Sequence, residues 1–284
     1  MRIGLAASRL HRAPGAALWQ WFAACGDVLA RELDVELCIV GQTHDDLLAA
    51  GGFPRGLRVR RMPPRREGGL IRLVAGVVDD SGPDALDAVV YLLDPEDPTS
   101  LFPEAQALKR ECVIHGKPFV ATLRHAIEWV EVERAVRGLA RDARIDAIGK
   151  LEDQTIALVA HDALKASLVE FVAAHFALFD RFRRRIATGT TGRLLNEHAA
   201  RHGKADWVHR YRSGPDGGDA QIARDILDGR CDRVIFFEDP HVAREHEADI
   251  QLLERSARMR PGGVPCINDL QTARRWAAAV LAAR

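Results

Sequence analysis

Asp87-Ala-Val-Val-Tyr-Leu-Leu-Asp-Pro95 returns later in the chain as Asp232-Arg-Val-Ile-Phe-Phe-Glu-Asp-Pro240. Each copy is a short apolar run of β-branched and aromatic residues, opened by aspartate and closed by Asp-Pro. A run of that length without polar alternation reads as a strand buried on both faces, as in a parallel sheet. The same plan extends beyond each copy: a helical pattern, a proline-containing strand (Pro118, Pro265), then a late tryptophan (Trp129, Trp276). A self-match on this scale predicts two halves of one design and not a solenoid of short repeats.

In the second half the β-rich runs fall at 155–160, 185–188, 207–211, 233–238 and 264–268. Helical patterns fill 164–174, 192–201, 220–227, 248–258 and 271–283. The first half offers strands at 3–7, 36–40, 57–62, 88–93 and 118–122 in the same order. Strands alternating with helices predict an α/β fold: two tandem doubly wound, Rossmann-like domains with mainly parallel five-stranded sheets. The charged, arginine-rich stretch 131–150 reads as a helical connector between domains 1–130 and 151–284.

With 40 basic and 40 acidic residues the formal charge is zero, so no overall field favours nucleic acid or an anionic membrane. The cysteines (Cys25, Cys38, Cys112, Cys231, Cys266) are scattered without CxxC spacing and read as reduced thiols. The N-terminus lacks the order of a signal peptide, and the longest uncharged stretch, 13–26, contains Pro14 and is too short to span a bilayer. A cytoplasmic protein is expected.

The chemistry-bearing residues concentrate in the second half. Thr188-Gly-Thr-Thr-Gly192 follows a strand, where converging backbone N–H groups, a helix N-terminus and threonine hydroxyls suit a phosphate; a plain helix cap is the alternative. Ser213-Gly-Pro-Asp-Gly-Gly-Asp219 delivers a carboxylate on a turn too glycine-rich to serve packing. His161-Asp162 and Lys165 follow another strand, and Asp239-Pro240 a third, with His246 and Asp249 at a three-residue spacing beyond. Strand ends in open α/β sheets form the ligand crevice, so all of these fall on one edge. Crowded carboxylates with two histidines also leave a divalent ion open, but no HxxxH, CxxC or EF-hand spacing accompanies them and no metal is expected. A phosphate cradle beside a carboxylate base points to proton abstraction next to a carbonyl on a phosphorylated small molecule.

At these residues the second half resembles methylglyoxal synthase, from about Thr155 to Ala279. The resemblance rests on Val-Ala-His161-Asp162-x-x-Lys165, Ala-Thr188-Gly-Thr-Thr-Gly192, Ser213-Gly-Pro-x-Gly-Gly-Asp219 and Phe-Phe-x-Asp239-Pro240 with His246 and Asp249. It implies a lyase converting dihydroxyacetone phosphate to methylglyoxal and inorganic phosphate, with no cofactor. Asp219 would be the base, His246 would polarise the carbonyl, and Asp162, Asp239 and Asp249 would orient the pair. His161, Lys165, Thr188, Gly189, Thr190, Thr191, Gly192, Ser213 and Gly214 would surround the phosphate. It also implies a homo-oligomer, where three tandem chains would supply six domains. Departures are Ala220 in place of glutamine, and Glu245 and Ala248 where proline is frequent. A non-catalytic phosphate- or nucleotide-sensing protein of the same fold, and a sugar-phosphate isomerase, are the competing readings.

In the first half those residues are missing. Ser8-Arg9 replaces His161-Asp162, Gly41-Gln-Thr-His44 replaces Gly189-Thr-Thr-Gly192, and Glu67-Gly-Gly-Leu70 places leucine at the base position. Leu101 falls opposite His246, and only Asp94, with Glu104, persists. Ser81-Gly-Pro-Asp84 copies part of the second-half motif but precedes the wrong strand, and His44-Asp45 follows the wrong one. The first half is expected to be catalytically inactive.

Overall fold

The computed structural model describes residues 1–98, 102–143, 145–241 and 247–282, with 247–250 as backbone only. The chain forms two units, Met1–Ala147 and Ile148–Ala282. The first contains β1 (Arg2–Ala7), α1 (Arg9–Arg12), α2 (Ala17–Asp27), β2 (Glu36–Val40), α3 (Gly41–Ala49), β3 (Arg58–Met62), α4 (Gly69–Val78), β4 (Ala88–Leu92), α5 (Pro103–Ile114), β5 (Phe119–Val120) and α6 (Leu123–Val136). The second contains β6 (Thr155–Ala160), α7 (Lys165–Ala174), α8 (Phe176–Asp180), β7 (Arg184–Ala187), α9 (Gly189–Ala200), β8 (His209–Arg210), α10 (Gly218–Leu227), β9 (Arg233–Phe237), α11 (Glu247–Met259), β10 (Cys266–Ile267) and α12 (Leu270–Ala282).

Each unit holds a five-stranded sheet, ordered β3-β2-β1-β4-β5 in the first and β10-β9-β6-β7-β8 in the second. Every strand pair is parallel, so the α/β, doubly wound expectation holds with the same strand order in both units. The matched runs explain the shared register. Asp87 Oδ2 accepts from the Arg2 N–H at 2.8 Å, and Asp232 Oδ2 accepts from the Thr155 N–H at 2.9 Å. Each aspartate pins the first residue of the central strand, so β1 ends with Ala7 opposite Leu92 and β6 with Ala160 opposite Phe237.

Strand periodicity distributes the core. In β1, Ile3 and Leu5 pack with Leu18 and Trp21 of α2 and Trp129 of α6 on one face. Ala6 joins Leu73 and Val77 of α4 and Leu108 of α5 on the other. In the second unit Ala157 and Val159 pack with Ile222 and Ile226 of α10 and Leu253 of α11. Burying both sheet faces is what permits runs as apolar as β4 and β9.

The stretch 131–150 is not a helical connector. Glu131–Val136 are the last residues of α6, and the chain leaves the helix at Gly138 with φ 71°. The Gly138 and Leu139 N–H groups close the helix end on Ala135 and Arg134 carbonyls. Residues up to Ala147 belong to the first unit. All five cysteines are free thiols, four of them buried. Among the described residues no helix is long and apolar enough to cross a membrane.

Candidate functional site

The strand order reverses direction between β6 and β9, which opens a crevice beyond their carboxyl ends. His161, next after β6, donates its backbone N–H to the Phe237 carbonyl at 3.1 Å. Its Nδ1 accepts from the Asp239 N–H at 2.8 Å, which leaves a neutral ring protonated on Nε2. The ring meets Phe236 edge-on at 5.0 Å. One helical turn on, Lys165 pairs through Nζ with Asp162 Oδ1; the lysine side chain is 22% exposed and the aspartate 95%.

The threonine-glycine segment forms the first turn of α9. Thr188 is the N-cap residue, but its side chain makes no capping bond. The Gly189 N–H donates to the Arg212 carbonyl at 2.8 Å, and a Cβ at Gly189 would lie 3.0 Å from the Ser213 nitrogen. Close backbone approach therefore brings the α9 N-terminus against the 213–219 turn. Thr191 is fully buried with its Oγ1 lacking a hydrogen-bond partner, and Thr190 is half-buried.

The 213–219 turn is closed by three backbone bonds: Asp216 N–H to Ser213 carbonyl, Gly217 N–H to Gly214 carbonyl, and Gly218 N–H to Ser213 carbonyl. Gly217 has φ 91°, and a Cβ on Gly218 would sit 2.1 Å from the Arg212 oxygen, so both positions require glycine. The turn delivers Asp219 into the first turn of α10, 8% exposed, with Oδ2 against Gly214. The helix is anchored further along at Asp225, which accepts from Tyr211 Oη and from Arg230 Nε at 2.9 Å. Burial pushes the Asp225 carboxyl up, but those two partners outweigh it and hold it below the usual carboxylate range.

These segments enclose a cavity of about 330 Å³. Of the expected residues, His161, Asp162, Lys165, Thr188, Gly214, Asp219 and Asp239 line it. Gly189, Thr190, Thr191 and Gly192 build the helix start behind Thr188, and a Cβ on Gly192 would meet Arg210 Cγ at 2.7 Å. Ser213 turns its hydroxyl to Asp216 within the turn. His246 lies outside the described residues. Asp249 is described only as backbone, in the first turn of α11. Phe236, which also lines the cavity, was not foreseen, because an aromatic in an apolar run reads as core. His198, in the last turn of α9, and His202, in the turn that follows it, have an H-x-x-x-H spacing the motif reading passes over. Among the described residues no group of three metal-ligating side chains forms.

The first unit repeats the backbone bonds that shape this scaffold. The Ser8 N–H donates to Leu92, and Ser8 Oγ accepts from the Asp94 N–H at 3.1 Å, so serine takes the structural role of His161. Gly68 (φ 84°) matches Gly217, and a Cβ on Gly69 would lie 2.0 Å from the Pro63 oxygen, matching Gly218. Leu70 then stands at the Asp219 position and Arg65 at that of Gly214. Thr43 Oγ1 accepts from the Ala7 N–H at 3.2 Å. Asp84 pairs with Arg60 at 2.6 Å ahead of β4, away from this edge, and His44 lies within α3. Leu101 is outside the described residues, and Glu104 lies in the first turn of α5.

Residues 167–267 match the MGS-like domain family. The methylglyoxal synthase of Moorella thermoacetica (strain ATCC 39073 / JCM 9320) is 43% identical over 118 residues, 42% of this chain and 86% of that protein. That of Burkholderia multivorans (strain ATCC 17616 / 249) is 42% identical over 119 residues, 42% of this chain and 85% of its own length. The crystal structure of methylglyoxal synthase from Elizabethkingia anophelis NUHP1 is 36% identical and covers 47% of this chain and 79% of that one, with a TM-score of 0.37. With 43% identity across 86% of a methylglyoxal synthase, on the half that carries the cavity, this chain belongs to the methylglyoxal synthase family.

Proposed function

We propose that the second unit is a carbon–oxygen lyase that eliminates phosphate from dihydroxyacetone phosphate to release methylglyoxal. The observation that carries this reading is one cavity lined by the buried Asp219 carboxylate, the Lys165 ammonium and the Thr188 side chain. A base and an anion-holding group facing one small space are the two requirements of the reaction.

Lys165, Thr188 and the first-turn amides of α9 hold the phosphate. Asp219 takes a proton from C3; the C–H electron pair becomes the C2–C3 double bond and charge moves to the C2 oxygen. Donors fixed where that charge develops supply most of the rate. On the family's pattern His246 polarises this oxygen, and Asp162, Asp239 and Asp249 orient the acid–base pair. Loss of the O3 proton then forms the C3 carbonyl, shifts the double bond to C1–C2 and expels phosphate from C1 with its bonding electrons. The released enol takes a proton at C1 to become methylglyoxal, and no water is consumed. Incubation with dihydroxyacetone phosphate is expected to yield methylglyoxal and inorganic phosphate one to one. Glyceraldehyde phosphate without phosphate release would overturn this in favour of an isomerase.

On the same reading the first unit is non-catalytic and the chain a homo-oligomer of tandem domains; a stable monomer by light scattering would reject that assembly.

A further inference from the structure

We propose that the crevice of the first unit is a separate anion site for a phosphate-bearing small molecule, gripped by Arg12 and Arg65. The inference does not depend on the lyase reading. It begins from the position-by-position match of the two crevices. Gly41 N–H donates to Pro63 as Gly189 does to Arg212, and Glu67, Gly68 and Gly69 N–H groups close the turn on Pro64, Arg65 and Pro64. On that shared frame the lining of the crevice loses a carboxylate and gains a cation, while Asp46 enters as the partner of Arg12. The Asp219 position becomes Leu70, 3% exposed, which removes the carboxylate. The Gly214 position becomes Arg65, and the position four residues past the central strand's first following residue, Lys165 in the second unit, becomes Arg12.

Both guanidiniums are aimed and held. Arg65 donates to Tyr91 Oη, at the Phe236 position, and lies 5.9 Å from the Tyr91 ring and 5.7 Å from the Phe102 ring. Arg12 is 12% exposed, pairs with Asp46 at 2.9 Å, and keeps its Nε buried with no acceptor. Burial lowers the Arg12 pKa most; Asp46 and Asp97 oppose this and Arg65 and Arg9 add to it, so Arg12 and Arg65 lie within reach of one another's charge. An oxyanion placed between the two guanidiniums would accept from both and offset the charge each presents to the other. Planar guanidiniums match phosphate oxygens in geometry, and the nine-residue α3 starts on the same sheet edge. With Leu70 at the base position, such a ligand would be bound and not transformed.

The test is calorimetric titration of the full chain with inorganic phosphate. Wild type is expected to bind two phosphates per chain, and a Lys165→Gln/Thr188→Val variant one. Adding Arg65→Gln to that variant should weaken the remaining site about tenfold or more, the loss expected for one charge-assisted hydrogen bond. Arg65→Gln alone should leave turnover in phosphate-free buffer unchanged. If the Lys165→Gln/Thr188→Val variant, folded by circular dichroism, binds none, the first-unit site does not exist. That result needs no arginine variant to fold, and it is independent of whether dihydroxyacetone phosphate is turned over.

Discussion

Gly214 and Asp219 are in contact across the turn that precedes α10: a Cβ on Gly214 would lie 2.7 Å from Asp219 Oδ2. The glycine is therefore what lets the carboxylate occupy the cavity wall. Gly214→Ala is expected to displace the base and lower kcat about a hundredfold, the cost of roughly an ångström of misplacement at a reacting group. Steady-state kinetics with dihydroxyacetone phosphate check this; an unchanged kcat would show that the carboxylate position is not critical.

The Lys165 ammonium lies in the cavity wall, tethered by Asp162 at its mouth. Lys165→Gln removes the point charge while keeping a donor, and is expected to raise KM about tenfold or more. Inorganic phosphate should weaken as a competitive inhibitor to the same degree. A KM within twofold of wild type would remove lysine from the cradle.

Asp225 ties α10 to Tyr211 and Arg230, so its loss should be felt as stability before it is felt as chemistry. Asp225→Asn is expected to cost about 1–3 kcal/mol at pH 7 by denaturant unfolding. The folded carboxyl titrates below its unfolded value of about 3.9. Its contribution is thus complete above that value and is lost as pH falls through the folded pKa. The gap between wild type and variant should therefore close in acid below about pH 4. A gap independent of pH would mean the charge is not what stabilises the helix.

Gly218 carries the tightest backbone approach in the second unit's turn, with a Cβ position 2.1 Å from the Arg212 oxygen. Gly218→Ala is expected to destabilise by about 1–3 kcal/mol or more, since a carbonyl cannot move aside as a side-chain end can. Thermal unfolding reads this directly, and an unchanged midpoint would show the turn to be plastic.

How much of this was legible depends on the residue. The strand β6 is found where its apolar run predicts, because nothing in 155–160 competes with burial. The helix starts were not: Gly189 and Gly218 read as turn residues, yet both begin helices. At each, the carbonyl of Arg212 demands a residue without Cβ or offers the first N–H its acceptor, a tertiary cause no local pattern carries. Asp219 consequently sits on a helix and not on a loop. The same holds for Phe236, whose place on the cavity wall depends on the sheet reversing between β6 and β9. The charged run after Glu131 looked helical by composition, but Gly138 in a left-handed conformation stops the helix. Substitution of Leu70 for the base was legible at once, because the flanking Gly68 and Gly69 fix the alignment.

The most direct test of the account is single-turnover phosphate release from dihydroxyacetone phosphate by Asp219→Asn, alongside its affinity for inorganic phosphate. Removing a positioned general base is expected to slow release about 10²- to 10⁴-fold while phosphate still binds as tightly as to wild type. Release at the wild-type rate, with the variant fully folded, would contradict the assignment of Asp219 as the base.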